Sequence, residues 1–260
     1  MSDQSKNIET GMIFSSINCG SFEITEVINR ANITIQFIET GTIKKVRADY
    51  VFNGKIKDNM CKTVYGVGQF GIGPYSKSKD RMAYNRWKGM LQRCYDDKYL
   101  ENKPSYNDCF VCDEWHDFQN FAKWFYENYP QDGSHYHLDK DLKVIRNKEY
   151  SPSMCMFVSL SVNAFTTNCQ RSRGKTMIGS TFEKQYGNFK AACQNPFTGK
   201  QENLGRYKTD KEAHLAWRRR KATHCKSLAL HQKDKDVYLA LMRWSDALTN
   251  FDVYKDGFSL

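Results

Sequence analysis

Long apolar runs are missing from this 260-residue sequence, and none approaches the roughly 20 residues that a bilayer-spanning helix needs. The opening MSDQSKNIETG has no basic-then-apolar signal, so a cytoplasmic protein with no membrane partner is expected. Cysteine is sparse and odd in number, nine in all, which excludes a disulfide scaffold. Most of these thiols are expected to serve as buried small hydrophobes in a reducing compartment. No internal repeat and no low-complexity tract occurs. No Ser-His-Asp or Cys-His spacing points to nucleophilic acyl chemistry. Gly66, Gly68, Gly71 and Gly73 lack the lysine-serine pair of a phosphate-binding loop, and the run VYGVGQFGIGPYSKS reads instead as a linker over 64–79.

What is present is positive charge, and its placement is uneven. Residues 1–75 carry eight Lys/Arg against seven Asp/Glu, and residues 76–167 carry thirteen of each. Residues 168–260 carry eighteen against nine, so the last third supplies almost the whole net charge of +10. Localised excess of this kind attracts polyanions and gives salt-dependent, sequence-independent affinity.

The periodicities predict an α+β protein. Residues 1–63 read as an SH3-like β module. Met12-Ile13-Phe14, the run around Phe22, Ile24 and Val27, the alternation Ile33, Ile35, Phe37, and then Ile43 to Val46 and Val51-Phe52 suggest five short strands in a small barrel-like sheet. Residues 80–169 form a second unit. Ala83, Trp87, Met90, Leu91 and Cys94 recur at helical spacing, and Trp115, Phe118, Phe121, Trp124 and Phe125 mark an aromatic-rich second helix. A strand, a turn, a return strand starting near Tyr150-Ser151-Pro152 and a helix are then expected. Residues 170–228 spell strand-turn-strand-turn-strand-helix. Gly187-Asn188 and Asn195-Pro196-Phe197-Thr198-Gly199 are the turns, and Thr209-Asp210-Lys211-Glu212 is a capping box that opens the helix. Residues 229–260 hold a last amphipathic helix, VYLALMRWSDALTNF.

Two stretches carry a resemblance. Gly187, Phe189, Ala191, Gly199-Lys200, Leu204-Gly205, Tyr207, Thr209, Glu212-Ala213 and Ala216 agree in order and spacing with the plant-type AP2/ERF DNA-binding domain. Over about eighty residues the middle unit resembles phage-encoded proteins related to HNH homing endonucleases. The agreement runs through Tyr84, Trp87, Met90, Arg93-Cys94-Tyr95, Tyr106, Cys112, Glu114-Trp115, Phe118, Phe121, Trp124, Leu138-Asp139-Lys140-Asp141, Tyr150-Ser151-Pro152, Cys155 and Asn163. The resemblance implies a C-terminal three-stranded antiparallel sheet packed on a helix, an HNH-like ββα middle domain, double-stranded DNA as partner, and a phage-infected bacterial host.

On the sheet, the apolar set Phe189, Ala191 and Cys193 should face the helix, while Asn188, Lys190, Ala192 and Gln194 face away. The candidate DNA contacts are Lys184, Asn188, Lys190, Gln194, Gln201, Asn203 and Arg206 on or beside the sheet, with Arg218 and Arg219 on the helix for phosphate. In the middle unit His137, Asp139 and Asp141 alternate, so an extended strand would put them on one face. With Asn163 on the following helix they are the candidate catalytic set. Asp139, Asp141 and Asn163 would hold Mg2+ or Mn2+, and His137 is the candidate water-activating base. Leu-Asp-Lys-Asp replaces the usual Asp-His or His-His pair of the family. The leading function is sequence-guided duplex DNA binding with metal-dependent phosphodiester cleavage; the rival is a non-catalytic DNA-binding regulator or interference protein on the same scaffold. Cys109, Cys112 and His116 have a zinc-compatible spacing, but core thiols beside aromatics are the preferred reading.

Overall fold

The computed structural model describes residues 7–166 and 176–250. It is a mixed α+β structure in two compact units, Met1–Glu127 and Asn128–Leu260. The boundary falls inside the span 80–169 that was expected to fold as one middle domain. The expected junction near residue 170 and the end of the last helix at Phe251 lie outside the described residues.

In the first unit, β1 (Ile13–Ser15), β2 (Ser21–Asn29), β3 (Asn32–Phe37) and β4 (Ile43–Val46) form an antiparallel meander in chain order. The first strand pairs only with the second and the fourth only with the third, so the sheet is open and not a closed barrel. Alternation places Phe22, Ile24, Ile33, Ile35 and Phe37 on one face, where they bury completely or nearly so. Helix α1 (Ala48–Asn53) covers that face with Ala48 and Val51. Val51-Phe52 was expected as a fifth strand. Gly54, at φ 64°, ends the turn of helix in the left-handed conformation, so Asn53-Gly54 is a helix stop.

Further along the first unit come α2 (Arg81–Tyr95), α3 (Asp97–Asn102), the two-residue β5 (Phe110–Val111) and α4 (Phe118–Asn128). The apolar stripe of α2 meets the aromatic run, and the Trp87 indole N–H donates to the Trp115 carbonyl at 2.7 Å. The glycine-rich segment is not a free tether. Gly68 lies against Leu91 and Trp87 so closely that any side chain there would collide. The Gln119 amide donates to the Phe70 and Tyr75 carbonyls and accepts from the Tyr75 N–H, which fastens the segment to α4.

The second unit contains β6 (Tyr136–Asp139), β7 (Glu149–Tyr150), β8 (Met156–Ser159), α5 (Leu160–Thr166), β9 (Ser180–Glu183), β10 (Asn188–Gln194), β11 (Gln201–Tyr207), α6 (Asp210–Leu230) and α7 (Lys235–Thr249). The partner of β6 is β8, antiparallel, with His137 opposite Val158 and Asp139 opposite Met156. The return strand therefore begins six residues later than expected. Ser151-Pro152 belongs to a turn, while the wholly buried run Met156-Phe157-Val158 makes the strand. Strands β9 to β11 form an antiparallel sheet in the order β11-β10-β9, packed on α6. The Thr209–Glu212 capping box is present with both of its hydrogen bonds.

Helix α6 serves two cores. Its first half sets Trp217 against Cys193, and its second half sets Cys225, Leu228 and Ala229 against Met156, Val158, Val162, Phe165 and α7. Among the described residues, no helix is long and apolar enough to cross a membrane.

Candidate nucleic-acid interface

The sheet-helix element presents its polar face outward. In β10 the helix side takes Ala191 and Cys193, both buried, and alternation sends Asn188, Lys190, Ala192 and Gln194 to the other side. On β11 simple alternation fails. Lys190 stands opposite Arg206, Ala191 opposite Gly205 and Ala192 opposite Asn203, so Leu204 is an extra residue in a β-bulge. Because cross-strand partners share a face, the bulge places Gln201, Asn203 and Arg206 together on the outer side. Leu204 turns inward and packs with Trp217 and Cys193. The six sheet residues expected to contact DNA thus lie on one face, with Lys184 exposed in the β9–β10 turn. That turn closes through Gly187, at φ 62°, whose N–H donates to the Glu183 carbonyl.

The helix-facing side of the hairpin is fixed by charge. Glu202 accepts from Arg220 Nε at 2.6 Å and Nη2 at 2.9 Å, accepts from Asn195 Nδ2 at 2.9 Å, and lies 2.9 Å from His224 Nε2. The Arg220 fork, the Asn195 amide and His224 hold the Glu202 carboxyl well below the usual carboxylate range. Arg220, which helical spacing puts on the same face as Ala213, is therefore committed to the sheet.

Of the two arginines assigned to phosphate, Arg219 is exposed. Arg218 does not occupy that role. It is 2% exposed, its Nε donates to the Leu248 carbonyl and its Nη2 to the Ala247 carbonyl, and burial lowers its pKa. Successive helical residues point about 100° apart, so neighbours in an Arg-Arg-Arg run part company, and the first of these meets α7. Lys221 turns inward as well, donating to the Phe165 carbonyl at 2.6 Å.

The hairpin-helix β6-β8-α5 carries the other candidate set. His137 and Asp139 alternate on β6 and so share a face, as expected. Asp141 lies beyond the strand, in the turn. Asp139 Oδ1 accepts the N–H of Asp141 at 2.9 Å and of Leu142 at 2.7 Å, so this carboxyl caps the turn. Burial pushes its pKa up. Asp141 Oδ1 is bound by Lys140 Nζ at 2.6 Å, and Lys140, only 6% exposed, also donates to the Asn147 carbonyl at 2.8 Å. Asn147 closes the same loop by donating to the carbonyls of Lys140 and Glu149. Asn163 sits in the first turn of α5, whose Val162 and Phe165 fill the core.

Both carboxylates proposed to hold a divalent cation with Asn163 already have partners within the loop. The ammonium of Lys140 already neutralises Asp141, and one Asp139 oxygen is saturated by two backbone amides. Among the described residues no group of three or more His, Cys, Asp or Glu side chains is placed to hold a metal ion, the Cys109, Cys112 and His116 set included.

Glu183 and Tyr186 were not singled out from the sequence, and Lys140 was noted only within the Leu-Asp-Lys-Asp run. Their signal is positional: a carboxylate opposite Asn188, an aromatic in a tight turn, and a lysine between two aspartates. No family model, curated protein or solved structure matches this chain.

Proposed function

We propose that this protein binds duplex DNA through the outer face of the β9–β11 sheet and does not cut it. The observation that carries the reading is the convergence of Asn188, Lys190, Gln194, Gln201, Asn203 and Arg206 on one face, made possible by the bulge at Leu204. The exposed amides of Gln194, Gln201 and Asn203, suited to adenine edges, and cations suited to guanine or phosphate then share a surface stiffened from behind by α6. A two- or three-stranded sheet fits the width of the major groove. The exposed Lys184, Lys200 and Arg219 flank the sheet or lie along α6, where they would take phosphates.

The cleavage reading rests on His137 and Asp139 sharing a face of β6. It is weaker, because Asp139 is occupied as a turn cap and Asp141 as the counter-ion of buried Lys140. The hairpin-helix acts in this reading as a scaffold that seats α6 and α7.

Direct titration of full-length protein with a fluorescent random-sequence duplex tests the proposal. With four or five phosphates engaged, affinity should fall on the order of a few hundred-fold as salt rises about fourfold. Binding that is absent, or indifferent to salt, would reject it.

A further inference from the structure

One arginine of the outer face is held by two neighbours. Arg206 on β11 stands opposite Lys190, and Glu183 at the end of β9 stands opposite Asn188, so the pair faces across the central strand β10. Arg206 Nε donates to Glu183 Oε2 at 2.6 Å. The guanidinium carbon lies 4.2 Å from the ring centroid of Tyr186, in the β9–β10 turn. These contacts use the Nε–H and one flat side of the guanidinium. Among the described residues its two terminal nitrogens have no hydrogen-bond partner, and the side chain is 44% exposed.

We propose that Glu183 and Tyr186 are positioning residues that hold Arg206 as a guanine-reading fork, an inference that rests on the sheet being the DNA-binding surface. Two terminal N–H groups held in one plane match the O6 and N7 acceptors of guanine in the major groove. Fixing a long side chain before binding removes part of the ordering cost of recognition. The alternative use of Arg206, holding a phosphate, is opposed by the carboxylate beside it. Glu183 would repel a phosphate within a few ångströms, whereas a neutral base edge meets no such penalty. The ion pair therefore selects base over backbone. Glu183 lowers general affinity for DNA and sharpens preference at one position.

The test is selection of bound duplexes from a randomised pool by full-length protein, read by sequencing, alongside affinity for a fixed non-selected duplex. The wild type should enrich guanine at one position by about 5- to 150-fold, the range of a bidentate contact. Arg206→Lys should erase that preference and keep the others, since an ammonium cannot reproduce the fork. Glu183→Gln should weaken the same preference several-fold while affinity for the non-selected duplex rises. Tyr186→Phe should keep the preference, and Tyr186→Ala should reduce it. The proposal is overturned if Glu183→Gln leaves the Arg206-dependent position unchanged, if Arg206→Lys moves no position, or if either loss spreads evenly over all positions. A wild type that binds no duplex overturns this inference together with the reading beneath it, whereas binding with an unmoved preference overturns this inference alone.

Discussion

Arg218 closes the last turn of α7 from a neighbouring helix: its Nε donates to the Leu248 carbonyl at 2.8 Å, and its Nη2 donates to Ala247 at 2.7 Å. The final carbonyls of a helix lack partners within it and carry partial negative charge, so a buried guanidinium both satisfies and neutralises them. Arg218→Met keeps most of the volume but leaves these carbonyls buried and unpaired. It should cost about 2–4 kcal/mol in denaturant unfolding. Arg219→Ala, one residue on and exposed, should leave stability within about 0.5 kcal/mol. It should weaken binding to all duplexes alike and reduce the salt slope by about one. Equal effects from the two substitutions would contradict this division of labour.

A fragment starting near Gln170 would carry the sheet and most of the positive charge, but it would not fold well. Cys225, Leu228, Ala229 and Leu241 are buried against Met156, Val158, Val162 and Phe165, all upstream of that start. A fragment beginning at Asn128 keeps this core. It should melt cooperatively and bind duplex DNA with nearly the full-length salt dependence. The shorter one should bind a dye specific for exposed apolar surface. Calorimetry and dye fluorescence on the two fragments decide the matter.

Asp139 offers a test of scaffold against catalytic site. Its carboxyl is raised in pKa by burial, so the native state holds a proton more readily there than the unfolded chain does. Stability therefore falls as pH rises through that window, and the charge is unfavourable near neutrality. Asp139→Asn keeps an oxygen for the Asp141 and Leu142 amides and removes the charge, so it should be neutral or stabilising at pH 7. Asp139→Ala should cost about 1–2 kcal/mol through loss of the turn cap. Supercoiled plasmid with Mg2+ or Mn2+ should remain intact with the wild type. Nicking that disappears in Asp139→Asn would reinstate the endonuclease.

Glu202 predicts the acid limb of stability. Its folded pKa is depressed, first by Arg220, so its contribution is fully present above the ordinary carboxylate range and is lost as pH falls toward the folded value. The urea midpoint of the wild type should drop steadily below about pH 4.5. In Glu202→Gln the midpoint should start lower at pH 7 and vary less over the acid range. Parallel pH profiles for the two proteins would refute this role.

Much of the sheet-helix element was legible because its signals are local. Glycine turns, the Thr209 cap and the alternation of β10 each need only a few neighbouring residues. The bulge was not legible, since Leu204 becomes an extra residue only once β10 supplies the register. The hairpin-helix was half legible: His137 and Asp139 do share a face. Yet Tyr150-Ser151-Pro152 drew the return strand too early, and the alternating carboxylates gave no hint that Lys140 would be buried against Asp141 and Asn147. Helical spacing sets Arg220 on the face of Ala213, where it is ion-paired, but only the tertiary neighbours show that Arg218 is buried and Arg219 exposed. Val51-Phe52 failed for a related reason, because six residues are too few for periodicity to separate helix from strand.

The bulge at Leu204 also changes how tolerance to substitution should be distributed along β11. Outward positions are 201, 203 and 206, and inward ones are 202, 204, 205 and 207. A saturation map of the strand should therefore show a two-residue rhythm that skips a beat after Asn203. Asn203 and Arg206 sit three apart in the chain but are adjacent on the outer face. Sites chosen every second residue from Gln201 would fall on Gly205 and never sample Arg206. A chain shortened by Leu204 alone would keep the outward set, lose an inward plug, and regain an even rhythm.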